Sequence, residues 1–328
     1  MKHDLLPTDG AWQVATCLHG IPVSNRDGVA FHDAPLEIWD RALAEIEGVG
    51  FTLAELADSH VRPADLDRTR LHDLLALARS HHLRFPSVHV QRRSVIEPGR
   101  GSENLDYAHR TIDAAAAMGM TVFSTGLHQP FTLAQRQALW FWTEQGAKDP
   151  DDPDVWALAV SRLRELGRHA ADVGLSMSLE MYEDTYLGTP DSAVRLVEEI
   201  GLENVGLNPD IGNLVRLRRP QQDWREMFAK TLPYANYWHL KNYSRDEASD
   251  ASSIAVTPTS LEGGLINYRA VINEAIDIGY EGIFVMEQYG GDSLGVCATN
   301  REYVLGVLDV RARVDASASA GLPKGLSA

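Results

Sequence analysis

Leu175-Ser-Met-Ser-Leu-Glu180 and Val205-Gly-Leu-Asn-Pro-Asp210 are two strand-length apolar runs, each stopping on a carboxylate. Between them Ser192 to Ile200 carries a helical pattern that ends at Gly201, a residue suited to the left-handed turn that closes a helix. This is one strand, one helix and one strand again. Further on, Tyr237-Trp-His239 and Ile283-Phe-Val-Met-Glu287 repeat the device with an imidazole and a third carboxylate. The separations are 210−180 = 30, 239−210 = 29 and 287−239 = 48 residues, so the first two are single repeats and the third is a repeat plus a long loop. Four such side chains meet only if the strands are parallel and curl so that their C-terminal ends share one mouth.

The same alternation extends over the whole chain. Apolar or β-rich runs fall near 11–19, 51–57, 85–91, 120–127, 175–181, 204–209, 236–241 and 282–288. Helical patterns follow each, over Pro35 to Ile46, Leu66 to His82, Asn104 to Met118, Val155 to Val173, Ser192 to Ile200, Trp224 to Leu232, Tyr268 to Ile278 and Asn300 to Leu308. Gly48, Gly50, Gly119, Gly174, Gly201 and Gly279 sit where a helix stops and a strand begins. Eight units predict a closed (β/α)8 barrel as a single domain over residues 1–315, with 316–328 a disordered tail. A doubly wound nucleotide-binding sheet would show G-x-G-x-x-G after its first strand, and none is there. The connections 126–154 and 242–264 are too long for turns, so extended loops are expected over the C-terminal face. Trp140-Phe-Trp142 in the first of them suits loop packing, a lid or a subunit contact.

Charge narrows the partners. The chain carries 46 acidic and 30 basic side chains, a formal net charge of −16, which repels phosphate backbones and anionic lipid. Neither nucleic acid nor membrane is an expected partner, and a small neutral substrate fits better. No signal-peptide core follows Met1 and no run approaches a membrane span, so a cytoplasmic location is expected. Cys17 and Cys297 are expected to be buried thiols rather than a disulfide.

A carboxylate that ends an apolar strand needs a cation or hydrogen bonds. Glu180, Asp210, His239 and Glu287 therefore read as the ligands of one divalent metal ion. Three carboxylates around it leave a charge of −3+2 = −1, a hard oxygen-rich set that favours Mn2+, with Mg2+ or Co2+ as alternatives, over a structural zinc. Four protein ligands leave an octahedral ion open to two substrate oxygens, as in a hydroxy-carbonyl unit.

These residues carry a resemblance. Ala54-Glu-Leu56, Val88-His-Val90, Ser178-Leu-Glu180, Gly206-Leu-Asn-Pro-Asp-Ile-Gly212, Trp238-His-Leu-Lys241, Gly263-Gly-Leu-Ile-Asn-Tyr268 and Gly282-Ile-Phe-Val-Met-Glu287 together resemble the xylose-isomerase-like sugar isomerase/epimerase superfamily. The resemblance implies that Glu180 and Glu287 hold the metal and also move protons on opposite faces of a bound sugar, while Asp210 and His239 act as ligands only. Many relatives have Asp-x-x-His after the sixth strand, whereas this chain has Asp210-Ile-Gly-Asn213, which implies a one-metal site and argues against the multi-metal DNA-repair branch.

Around the four ligands, His89 and His128 fall near the mouth, with His128 a candidate catalytic base and His89 a candidate substrate contact; His19 carries less weight. His81-His82 ends a helix and is expected to cap it. Glu55 and Asn213 are candidate substrate contacts, and Lys241 either polarises a substrate oxygen or pairs with a ligand carboxylate. The expected reaction removes the proton beside the carbonyl of a keto-sugar to give an enediolate, which is reprotonated elsewhere by an isomerase or epimerase. A lyase expels a group from the same intermediate, and the long mouth loops resemble the large (α) subunit of C-glycoside deglycosidases, which cleave 3-keto glycosides of aromatic aglycones and work with a small β subunit. By that resemblance the expected partners are a sugar or glycoside substrate and further subunits in an oligomer, with a small β subunit among the alternatives. A metal-stabilised scaffold without catalysis is the alternative of another class.

Overall fold

Helix caps and turn glycines place the elements. The computed structural model describes residues 12–24, 27–250 and 252–319. Its strands are β1 (Val14–Cys17), β2 (Ala54–Ala57), β3 (Ser87–His89), β4 (Val122–Thr125), β5 (Ser176–Glu180), β6 (Val205–Asn208), β7 (Tyr237–Leu240), the hairpin pair β8 (Asn242–Glu247) and β9 (Ile254–Thr259), and β10 (Ile283–Met286). The helices are α1 (Leu36–Gly48), α2 (Arg68–Ser80), α3 (Gly101–Ala117), α4 (Leu133–Gln137), α5 (Pro153–Asp172), α6 (Pro190–Ile200), α7 (Gly212–Val215), α8 (Trp224–Thr231), α9 (Tyr268–Asp277) and α10 (Ser293–Ser319). Asp67, Asp152, Thr189, Asp223 and Asn267 each accept a hydrogen bond from a first-turn N–H of the helix they precede. Between helix and strand, Gly50, Gly119, Gly174, Gly201 and Gly279 hold φ between 64° and 93°, where a side chain would be strained. Gly48 is instead the last residue of α1, and the turn belongs to Gly50.

Eight strands form one parallel sheet in the order β6-β5-β4-β3-β2-β1-β10-β7. The remaining seam, β6 to β7, lacks a full ladder because Pro209 cannot donate and the chain turns there. It is held by Asn236 N–H donating to the Leu207 carbonyl (3.1 Å) and by His239 N–H donating to Asn208 Oδ1 (2.8 Å). Gly206 is required at this seam, since a Cβ would lie 2.6 Å from the Asn236 side chain and 2.7 Å from the Tyr234 carbonyl. The result is a nearly closed TIM barrel. Its strands are buried on both faces, so they appear in the sequence as apolar runs rather than alternations.

Two segments depart from expectation. The 242–264 connection holds the antiparallel β8–β9 hairpin, whose inward Tyr243 and Val256 are buried while Ser, Asp and Thr face out. The last helix starts at Ser293 and runs to Ser319, extended by Arg311–Asp315 and Arg313–Asp309 pairs four residues apart. The tail expected from Ala316 is therefore helical as far as Ser319, and its remainder lies outside the described residues. Both cysteines are free and buried. His81 is the C-cap of α2, where its ring pairs with Asp40 and Glu47. No helix among the described residues is long and apolar enough to cross a membrane.

Candidate metal centre

Parallel strands in register bring their C-terminal ends to one height. Val285 pairs with His239 and Met286 with Leu240, so Glu287 lies beside Lys241; Glu180 pairs with Asn208, two residues short of Asp210. Glu180, Asp210, His239 and Glu287 then offer one donor atom each, all within 4.8 Å of one another and all buried. His239 Nδ1 lies 3.4 Å from Glu180 Oε1 and 3.1 Å from Glu287 Oε2.

Glu55 explains the orientation of that imidazole. His239 Nε2–H donates to Glu55, at 3.0 Å from Oε1, and the Tyr237 hydroxyl donates to Glu55 Oε2 at 2.5 Å. Ser87 in turn bonds Tyr237 at 2.6 Å. With both oxygens engaged beneath the mouth, Glu55 has the contacts of a group that fixes a ligand rather than of one open to a sugar hydroxyl. Its carboxyl stays below the usual range because His239 outweighs the upward push of burial.

Lys241 stands where a cation belongs. Its ammonium is 2.5 Å from Asp210 Oδ2, 2.7 Å from Glu287 Oε2 and 3.9 Å from Glu180 Oε1, the ion-pair arrangement foreseen as the alternative to a substrate contact. Burial opposes its charge, yet Asp210 and Glu287 hold its pKa well above normal. Burial, against Lys241 and together with the Glu287 and Glu180 charges, pushes Asp210 up to about 7. Gly212 allows this approach, for a Cβ there would sit 2.6 Å from Lys241 Cγ and 3.0 Å from Asp210 Oδ1.

Glu180 is held by three imidazoles and an amide. His128 Nε2 lies 2.7 Å and His89 Nε2 3.1 Å from Oε2, and Asn213 Nδ2 donates to Oε1 at 3.1 Å and to the Met181 carbonyl at 2.9 Å. Burial would raise this carboxyl, but His89, His128 and His239 hold it well below the carboxylate range. His128 itself is lowered to about 4, chiefly by burial, so its ring is neutral where Nε2 approaches Glu180. Gly126 leaves room for that ring, since a Cβ would come 2.6 Å from His128 Cε1. His89, His128 and Asn213 are thus all committed to Glu180, and His19, given less weight from sequence, reaches Glu287 Oε1 at 3.3 Å through Nδ1.

The donor set fits a hard divalent cation. Asp210 Oδ1 is buried with no hydrogen bond, and with Nε2 against Glu55 the Nδ1 atom of His239 is the ring nitrogen that faces the Glu180 and Glu287 carboxylates.

A model of the Xylose isomerase-like TIM barrel family matches residues 43–305. The chain belongs to this family. A solved Xylose isomerase-like TIM barrel protein from Mycobacterium smegmatis, in complex with magnesium, is 43% identical with a TM-score of 0.86 over 91% of this chain and 97% of that one. L-ribulose 3-epimerase shares the fold at TM-score 0.67 and 16% identity, over 96% of this chain and 100% of that one. Inosose dehydratase from Geobacillus thermodenitrificans is 30% identical over 144 residues, which are 41% of this chain. The match spans 47% of that relative's length. The family model covers every residue of the tetrad.

Sequence reasoning passed over the roof of the site. Arg216 is fully buried and donates through one nitrogen to both oxygens of Glu183, at 2.9 and 3.0 Å. Its guanidinium lies under Phe141, Trp142 and Tyr182, with ring centroids 4.9 to 5.2 Å away. Trp142 is buried against Tyr243 and Tyr289, so it packs on its own barrel mouth. The only signal for this pair was its position just after strands five and six.

Proposed function

We propose that this chain is a metal-dependent sugar isomerase or epimerase that removes the proton beside the carbonyl of a keto-sugar. The observation that carries this reading is the tetrad: two glutamates from different strands, Glu180 on β5 and Glu287 after β10, share a single candidate cation position with Asp210 and His239. Asp210, His239, Glu180 and Glu287 would hold the ion, with Mn2+ suited to three oxygens and one imidazole. A bound divalent cation supplies Lewis-acid polarisation of the substrate carbonyl.

The chain's own residues do the rest. One glutamate accepts the proton from the carbon beside the carbonyl, the C–H electron pair moves to form the enediolate, and a proton returned at the neighbouring or the opposite position completes the exchange. Glu180 and Glu287 are both ionised at neutral pH, held so by the imidazoles and the ammonium around them. His128, His89 and Asn213 keep Glu180 in one rotamer, and Glu55 fixes the orientation of the His239 ring through Nε2. Expulsion of a β substituent from the same intermediate would make a lyase, a reading supported by the partial likeness to inosose dehydratase.

The test is Glu180→Gln. We expect the fold and metal binding to survive while turnover of ketoses falls by at least about a thousandfold, within the scale of lost acid–base catalysis. Incubation of the wild type in D2O should place deuterium beside the carbonyl without fragmentation. Loss of water or of an aromatic aglycone from a 3-keto glycoside would assign the lyase outcome, and full activity of the glutamine variant would end the proposal.

A further inference from the structure

A cavity of about 590 Å³ opens beside the tetrad at the barrel mouth. His19 joins the two, with Nδ1 3.3 Å from Glu287 Oε1 and Nε2 3.0 Å from Gln91 Nε2. Four arginines line the cavity, Arg62, Arg92, Arg93 and Arg100, against a single carboxylate, Asp58. In a chain with a net charge of −16, four arginines are thus concentrated beside the tetrad.

The arginines are not equally available. Arg93 is paired with Asp58 at 3.1 Å, Arg62 with Asp65 at 3.3 Å, and Arg100 with Glu103 at 3.4 Å. Arg92 has no ion pair among the described residues. It donates to the Gln129 carbonyl at 3.1 Å and to the Tyr182 hydroxyl, using two of the five donors a guanidinium carries. Its plane is fixed by stacking, with the Phe131 ring centroid 3.8 Å and that of Tyr182 4.7 Å from Cζ. The backbone of Arg92 sits at φ 56°, a left-handed conformation that costs a non-glycine residue energy and that the fold nonetheless holds. A partly buried, pre-oriented guanidinium without a carboxylate, beside three further arginines, is suited to grip a planar or tetrahedral oxyanion.

We propose that this cavity is a subsite for a carboxylate or phosphate group carried by the substrate, with Arg92 as its principal contact and Arg62 alongside. The proposal rests on the tetrad being where the hydroxy-carbonyl end binds. It narrows the substrate to an acidic keto-sugar derivative, against the neutral substrate that overall charge suggests. Local charge decides, because at physiological salt exposed charges more than about 8 Å away are largely screened.

D-fructose, D-fructuronate and D-fructose 6-phosphate share their hydroxy-ketone end and differ in the terminal group, so their binding to Mn2+-loaded protein by calorimetry isolates the subsite. One of the two anions should bind at least about tenfold more tightly than D-fructose, the scale of one charge-assisted hydrogen bond, and the tighter one identifies carboxylate or phosphate. Arg92→Gln should remove that preference and Arg62→Gln reduce it, both with Mn2+ affinity unchanged as the control for folding. D-fructose binding as tightly as both anions, neither anion binding, or an undiminished preference in Arg92→Gln would overturn the proposal. Failure of the metal reading shows separately, as wild-type protein that does not bind Mn2+.

Discussion

Replacing Lys241 with methionine distinguishes two ways of satisfying the same carboxylates. The ammonium is 1% exposed and bridges Asp210 and Glu287 at 2.5 and 2.7 Å. Methionine keeps most of the length and removes the charge. Breaking a buried pair by deleting one partner costs roughly 3–5 kcal/mol. Asp210, already pushed up to about 7, takes up a proton at neutral pH when the ammonium is gone, so the cost falls near the lower end. At about 2 °C per kcal/mol for a chain of this size, Lys241→Met should lower Tm by roughly 6 °C in EDTA. With Mn2+ present the divalent charge replaces the ammonium, and the gap should close to about 2 °C or less. Metal affinity should rise by about tenfold, because no internal cation has to leave Asp210 and Glu287 first. Differential scanning calorimetry in EDTA and in Mn2+, with metal titration by isothermal calorimetry, reads both quantities. Equal destabilisation in the two conditions, or weaker metal binding by the variant, would refute the reasoning and make Lys241 a companion of the metal.

Two further expectations concern stability. His60 is buried, accepts no substrate role, and is lowered to about 4 by burial and then by His19, against a hydrogen bond to the Ile21 carbonyl. Between pH 6.5 and about 4 the unfolded chain binds a proton that the folded ring refuses, so stability should fall by roughly 3 kcal/mol as pH drops through that window, and urea midpoints should show His60→Gln with a shallower acid limb. Arg216→Met should cost roughly 3–5 kcal/mol by leaving Glu183 buried without its cation, and adding Glu183→Leu should restore most of it; a double variant no more stable than Arg216→Met in urea titration would show that the aromatic roof, not the ion pair, sets the cost.

The barrel and the tetrad were legible for the same reason. A strand buried on both faces tolerates a charged or polar side chain only at its open end, so Glu180, Asp210, His239 and Glu287 announce both the end of a strand and a need for a cation or hydrogen bonds. Glu55 shows the limit of that rule. It obeys the same pattern on β2, yet its oxygens are taken by His239 and Tyr237, and only coordinates reveal that a strand-end carboxylate can serve another ligand instead of the metal. Arg92 and Arg216 were illegible for a different reason. Both lie in loops after strands, where no periodicity fixes which way a side chain points, and their directions are set by rings far away in sequence: Phe131 and Tyr182 for Arg92, Phe141 and Trp142 for Arg216. The tetrad's position follows from repeats of strand and helix, whereas the charge of the cavity beside it follows from loop packing.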